Sequence, residues 1–573
     1  MPDRKCDLVM KGGITSGVVY PMAVVELAKT YSFQRIGGTS AGAIAAVVTA
    51  AAEYGRGTGG FDRIATLPDE LAPTLFDKFQ PTPQLAPLFN VFLAAMSGSK
   101  LKILFTLVRS YLGTAMLAAL PGLVLLLLAL VAGSWGFAVL GVLLAGIGKL
   151  AGAVYGAYRQ ATRDLPGNDF GLCPGSSQPG NKGPGLTKWL AEKIDSVAGL
   201  PEGSGPLTLK HLADKGITIA TVTTDITTHR PYALPMTNNL HAFSESEFRR
   251  LFPDYIVDHM VKTSNPVDPE TWRGGKNDLR YFRNEEMPIV VLARMSLSFP
   301  VLFSQVPLHR VDFTLVHPEA ENRRVVRCLF SDGGLSSNFP VHFFDQLLPQ
   351  TPTFGISLGE YNPWRTRPQT PPVANDGRVM LPTEAGSGRL LPTHPAPTGL
   401  GAFVMSLFDS AKDWQDSLQS ILPGYRERIV NVNLNPDEGG MNLQMPPETI
   451  RLLTDLGEQA GVAIDKDFDL NEHRWRRYLV EIQSIDTLLV RFAQSYDTTD
   501  LGGGALPYPE LATAYPPSSF KSLTKAQRAY LKTKAETIAA TGRSLAAMAK
   551  PAKIDELMPS SHARLRNVAR MDD

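Results

Sequence analysis

The stretch Gln34-Arg35-Ile36-Gly37-Gly38-Thr39-Ser40-Ala41-Gly42-Ala43-Ile44 runs from a short strand pattern, through a knot of small residues, into an alanine-rich helix expected over Ala43 to Tyr54. Upstream, Asp7-Leu8-Val9-Met10 reads as another short strand. Gly12-Gly13 breaks it, and Pro21 to Lys29 reads as a helix with proline in its first turn. Strand, helix, strand, helix in this order predicts an α/β fold with a mostly parallel central sheet flanked by helices. Further along, Ile217 to Val222 and Arg324 to Phe330 cluster β-branched residues ahead of turn residues and extend the same sheet.

The chain of 573 residues is longer than one hydrophobic core usually supports. It divides on composition into a catalytic region over 1–360, a linker or loop over 361–400 and a mainly helical C-terminal region over 401–573. From about Asn362 to Pro397, prolines, glycines and polar residues dominate. With 56 basic against 55 acidic residues, no overall field draws the chain to nucleic acid. Cys6, Cys173 and Cys328 are far apart and lack metal-ligand spacing, which suggests buried thiols in a reducing compartment. The N-terminus has no apolar run of the signal-peptide kind, and the catalytic region is expected in the cytoplasm.

Between Ser110 and Gly148 there is no charged residue, and the apolar character continues to about Tyr155. One spanning helix needs only ~20 residues, so 110–158 reads as a helical hairpin that turns at Gly133-Ser134-Trp135-Gly136. Lys100, Lys102 and Arg109 precede it and Arg159 and Arg163 follow, which fits two membrane-spanning helices with both ends on the cytoplasmic side. Gly148, Gly152 and Gly156 would let the helices approach closely. A buried hairpin in a soluble protein is the other reading. Near the C-terminus, Trp475, Tyr478, Leu479, Ile482, Ile485, Leu489 and Phe492 form a stripe expected to pack, and Lys525 to Lys550 is a second helical segment.

Gly38-Thr39-Ser40-Ala41-Gly42 matches G-x-S-x-G between a strand and a helix, the setting a nucleophile elbow needs. Gly38, Ala41 and Gly42 supply the small neighbours of a strained turn, and Ser40 is the candidate nucleophile. An ordinary tight turn is the bland alternative. Acyl transfer needs amide donors for an oxyanion, and Gly12, Gly13 and Ala41 are the candidates. Ser331-Asp332-Gly333-Gly334 places a carboxylate on a glycine turn, where Asp332 is the candidate general base. The segment Gly12 to Gly17 is neither a dinucleotide fingerprint nor a P-loop, which disfavours a nucleotide site.

Together, the glycine-rich loop, the G-x-S-x-G segment and the distal Asp-Gly-Gly resemble the patatin-like phospholipases, in a bacterial-type domain with an apolar insertion. Thr223 to Pro231 and Ala293 to Phe303 are similar to further stretches of that family, and the likeness covers about Cys6 to Leu348. Ile14 and Ser16 stand where the family usually has a third glycine and a basic residue. The resemblance implies a three-layer patatin-like fold and a Ser40–Asp332 dyad that needs no metal or other cofactor. It also implies hydrolysis of phospholipid or other lipid esters through an acyl-enzyme, a lipid-degrading activity at a membrane. The family works without a histidine, which leaves His342 a structural or rim role. The alternatives are a lipid acyltransferase and a catalytically silent membrane-associated scaffold or lipid-binding protein.

Overall fold

A computed structural model describes residues 2–559, apart from 97–98, 238–239, 313–323, 362–376, 385–395, 401–402, 404–405, 408–409, 411–418, 436–437, 441, 502 and 520–521. Its thirteen described strands are β1 (Arg4–Met10), β2 (Tyr31–Gly38), β3 (Gly171–Cys173), β4 (Thr218–Asp225), β5 (Arg230–Leu234), β6 (His241–Ser244), β7 (Leu279–Tyr281), β8 (Val301–Phe303), β9 (Val306–Val311), β10 (Val325–Asp332), β11 (Thr353–Glu360), β12 (Val379–Met380) and β13 (Ile429–Leu434). All but β3 and β8 form one sheet in the order β12-β13-β11-β1-β2-β4-β10-β9-β6-β7, with β5 paired to β4.

The five strands from β13 to β4 are parallel, as expected from the alternation of strands and helices near the N-terminus. Beyond β4 the sheet changes character, because β10, β9, β6 and β7 all pair antiparallel. The expected mostly parallel, patatin-like three-layer sheet is therefore corrected to a large mixed α/β architecture with flanking helices. The physical reason is connectivity. β9 pairs with its successor β10, and β6 with its successor β7, and successive strands that lie side by side pair antiparallel where the chain doubles back on the sheet.

Alternation along β1 divides the two faces of the sheet. Leu8 and Met10 join the main core, with the helices Tyr20–Leu27, Ala41–Tyr54, Ile289–Ser296 and Pro447–Asp467. Val9 faces a smaller cluster of Phe339, Val341, Phe344 and Ile429. Close approach ties the chain's two ends together, since a Cβ on Gly457 would lie 2.0 Å from the Val19 carbonyl oxygen. β13 comes from the region expected to be mainly helical, yet it sits inside the sheet beside β11. Most of the expected linker lies outside the described residues, and the part within them includes β12.

The apolar insertion forms two antiparallel helices, Leu112–Val131 and Trp135–Arg159, with Pro121 inside the first. The first helix and the continuous helical run Trp135–Gly167 are long and apolar enough to cross a membrane, with only 22% and 28% of their apolar windows buried. Leu117, Leu127, Val131 and Trp135 are 62–83% exposed. The seam between the helices is lined by small residues. A Cβ on Gly148 would lie 2.3 Å from the Ala118 carbonyl oxygen, and one on Gly152 the same distance from that of Thr114. Two C-terminal helices, Leu470–Asp497 and Lys525–Ala546, pack on each other.

Candidate functional site

β2 ends at Gly38, and the helix Ala41–Tyr54 begins three residues on, so Ser40 stands in the turn with φ 55 and ψ −124. Backbone of this kind costs of order 1–3 kcal/mol for a residue with a side chain and persists only where packing enforces it. Here packing does so from below, where a Cβ on Gly42 would lie 2.3 Å from the Met10 carbonyl oxygen. The Ser40 amide donates to Ser296 Oγ at 3.0 Å, and Ser40 Oγ donates to Asp332 Oδ2 at 2.7 Å. Asp332 closes β10, and its other oxygen accepts the Gly334 amide at 2.7 Å. Both side chains are buried, 3% and 4% exposed.

Of the three amides expected to hold an oxyanion, those of Gly12 and Ala41 are engaged, while Gly13 N donates no hydrogen bond among the described residues. Gly12 N donates to Asn338 O at 2.7 Å, and Ala41 N donates to Gly13 O at 3.2 Å. The Gly13 carbonyl also lies 2.9 Å from Ser40 Oγ as a second acceptor. A carbonyl thus occupies the place where a developing negative charge would need donors. Gly12 is held there by fit, since a Cβ would meet Asn338 Oδ1 at 2.1 Å. His342 rests its ring against Phe343, with centroids 5.4 Å apart.

Beside the serine, an apolar cavity of about 100 Å³ reaches Gly17 and Ala41 and runs between Ile44, Val48, Leu71, Phe79 and Phe303. The sequence hid it, because its walls come from separate elements, each of which reads as ordinary core. Lys78 also lines the cavity, with its ammonium 5.7 Å from the centre of the Trp189 ring. Burial is the main cause that lowers its pKa.

Elsewhere, the sheet gathers a second group of reactive side chains that the sequence spacing did not suggest. Asp225, His241 and Cys328 are buried, and one ligand atom from each lies within 4.8 Å of the others. Among the described residues neither His241 ring nitrogen has a hydrogen-bond partner, although the residue is 2% exposed. A buried polar atom left without a partner costs about 1–3 kcal/mol. Burial first, then Arg310 and Arg230, push the His241 pKa down to about 4 against the pull of Asp225, so the ring is neutral near pH 7. Burial and Asp225 push the Cys328 thiol up to about 12. Asp225 accepts from Thr227 N at 2.8 Å and from Thr228 Oγ1 at 2.7 Å.

Fold and site define a mixed α/β protein with a membrane-length apolar hairpin, an apolar cavity and a buried serine–carboxylate pair. No protein-family model matches the sequence. A curated protein of Rhizobium meliloti (strain 1021), named RpoH suppressor, is 34% identical across 92% of this chain and 93% of its own length. The chain belongs to that RpoH suppressor family.

This overturns the expected membership of the patatin-like phospholipases, and with it the carboxylic ester hydrolase acting in lipid degradation that the resemblance implied. Short glycine-and-serine motifs recur across unrelated folds, whereas likeness along nearly the whole chain does not. The engaged amides of Gly12 and Ala41, and the Asp225–His241–Cys328 group, point the same way.

Proposed function

We propose that this member of the RpoH suppressor family is a catalytically silent, membrane-associated lipid-binding protein. Its hairpin lies in the bilayer, its body stays on the cytoplasmic side, and the cavity beside Ser40 accepts an acyl chain. The observation that carries this reading is an apolar cavity that ends at Ala41, whose amide is already committed to Gly13. Such a site offers a chain a dry groove and offers a carbonyl neither the Gly12 amide nor the Ala41 amide. The lipid-facing residues of the hairpin support the membrane placement, since apolar surface on this scale marks a partner or a bilayer. From the relative's name we take a regulatory role rather than a degradative one for this chain.

Val48→Trp would fill the cavity. In lipid nanodiscs, the full-length protein should bind a fluorescent fatty acid saturably, and Val48→Trp should weaken that binding by about tenfold or more, a loss of ~1.4 kcal/mol. Ser40→Ala should leave it unchanged. Failure of the unaltered protein to bind the probe saturably would sink the proposal.

The 2.7 Å contact between Ser40 Oγ and Asp332 favours one second reading, a lipid acyltransferase. Ser40 Oγ would attack a donor lipid ester while Asp332 takes its proton and returns it to the departing alcohol; an acceptor alcohol would then attack the acyl-serine, giving its proton through Asp332 back to Ser40. That route needs the Gly13 peptide to turn and free the Ala41 amide. Acyl transfer to an added alcohol, lost in Ser40→Ala and Asp332→Asn, would favour it over silent binding.

A further inference from the structure

We infer that Asp225, His241 and Cys328 bind one divalent transition-metal ion, with zinc the best match. The three come from different strands but share a face. Asp225 on β4 pairs with Phe330 on β10, Cys328 lies two residues back along β10, and His241 on β6 sits across β9 from Val326, both being paired with Arg310. Their ligand atoms, all within 4.8 Å of one another, need only small side-chain shifts to surround one ion at ordinary Zn–N, Zn–O and Zn–S distances.

The independent pointer is His241. Both of its ring nitrogens are buried without a hydrogen-bond partner among the described residues, and its ring stands edge-on to Tyr232 and Phe330, each 5.3 Å away between centroids. A purely structural histidine at such a position normally finds a hydrogen bond.

Charge balance supports a divalent ion. The Asp225 carboxylate and a Cys328 thiolate together neutralise it, leaving no net charge buried beside Arg310 and Arg230. Binding converts the Cys328 thiol into a metal thiolate and releases its proton to solvent, while neutral His241 ligates without losing one. One nitrogen, one sulfur and one oxygen suit zinc better than magnesium or calcium, which favour oxygen donors throughout. A fourth position is left for water or the nearby Thr227 hydroxyl, which already accepts the Leu329 amide at 3.1 Å.

The test is metal analysis of the full-length protein, stripped with chelator and reloaded with zinc or cobalt. One ion per chain is expected. Cobalt loading should give the intense near-ultraviolet thiolate-to-cobalt band, and Cys328→Ser should abolish that band. Loading of the unaltered, folded protein without the band would overturn the proposal, as would loading below one-tenth of an ion per chain. The cobalt band of the unaltered chain decides the matter even if Cys328→Ser fails to fold. Should His241→Ala remain folded and still bind a full ion with the same spectrum, the ligand set is wrong.

Discussion

At the scale of single residues, Glu247 shows how a buried charge is made tolerable. His309 Nε2 and Lys276 Nζ each lie 2.8 Å from its carboxylate, and Arg327 Nε donates to it at 2.9 Å. Burial alone would raise its pKa. These partners outweigh burial and bring it down to about 2 from an ordinary 4.5. A depressed carboxylate stabilises the fold above its unfolded pKa and loses that contribution as pH falls through the folded one. The Glu247 contribution, roughly 3 kcal/mol, should therefore be complete at pH 6 and fade between about pH 4.5 and pH 2. Chemical denaturation of Glu247→Gln across that window should show a large deficit at pH 6 that shrinks toward pH 2. An equal deficit at both ends would mean that packing, not charge, is what the residue supplies. Individual site residues were partly legible in the sequence. Ser40 and Asp332 stand out because elbow and turn motifs are local. The Asp225–His241–Cys328 group does not, because only the pairing of β4, β10, β9 and β6 brings it together.

Among the elements, the apolar hairpin was the easiest to read, since an uncharged run and a glycine turn need no partner to declare themselves. Its seam can be tested directly. Gly141 packs on Leu126 closely enough that a Cβ would lie 2.6 Å from the Leu126 amide nitrogen. Spin labels on cysteines replacing the exposed Leu117 and Ile147 should report one well-defined distance in membranes. Adding Gly148→Ile should lengthen and broaden it, because its side chain would strike the Ala118 carbonyl. A distance that ignores Gly148→Ile would mean the helices are not held by this seam. The C-terminal stripe taught the opposite lesson. Trp475, Tyr478 and Ile482 were expected to pack, yet each is about half exposed, and the helix buries His473, Arg477, Val480 and Glu481 instead. Periodicity marks an apolar face, but a buried ion pair can rotate a helix away from it.

Across the whole molecule, that ion pair fastens the C-terminal helix to the sheet-bearing body. Arg477 is 1% exposed and reaches Asp345 Oδ2 at 3.1 Å and Glu481 at 3.2 Å, and its guanidinium lies 4.6 Å from the centre of the Tyr425 ring. Arg428 meets the other Asp345 oxygen at 2.9 Å. Asp345→Ala takes the carboxylate from Arg428 and leaves Arg477 with Glu481 alone, and it should cost about 3 kcal/mol, because a buried charge that loses its partner is worse than no charge at all. The readout is proteolysis of the full-length protein, with cleavage before Leu470–Asp497 accelerating first. Unchanged cleavage would show that apolar packing holds the helix alone. The direction of the outer strands was beyond the sequence for a related reason: the way the chain returns to a sheet is set by contacts between distant segments, not by local pattern.

The position of the hairpin has a consequence for biosynthesis. β1 and β2 leave the ribosome before it, while β11, the partner on the other side of β1, is made only at Thr353–Glu360. At ordinary elongation rates that delay is on the order of tens of seconds. Throughout it β1 carries a bare edge, and β2 does so until β4 is made at Thr218–Asp225, while the hairpin, long and apolar enough to cross a membrane, is already complete. On the membrane placement proposed above, the chain is moored before its sheet exists, and closure of the body becomes a search by tethered segments rather than by a freely diffusing polypeptide.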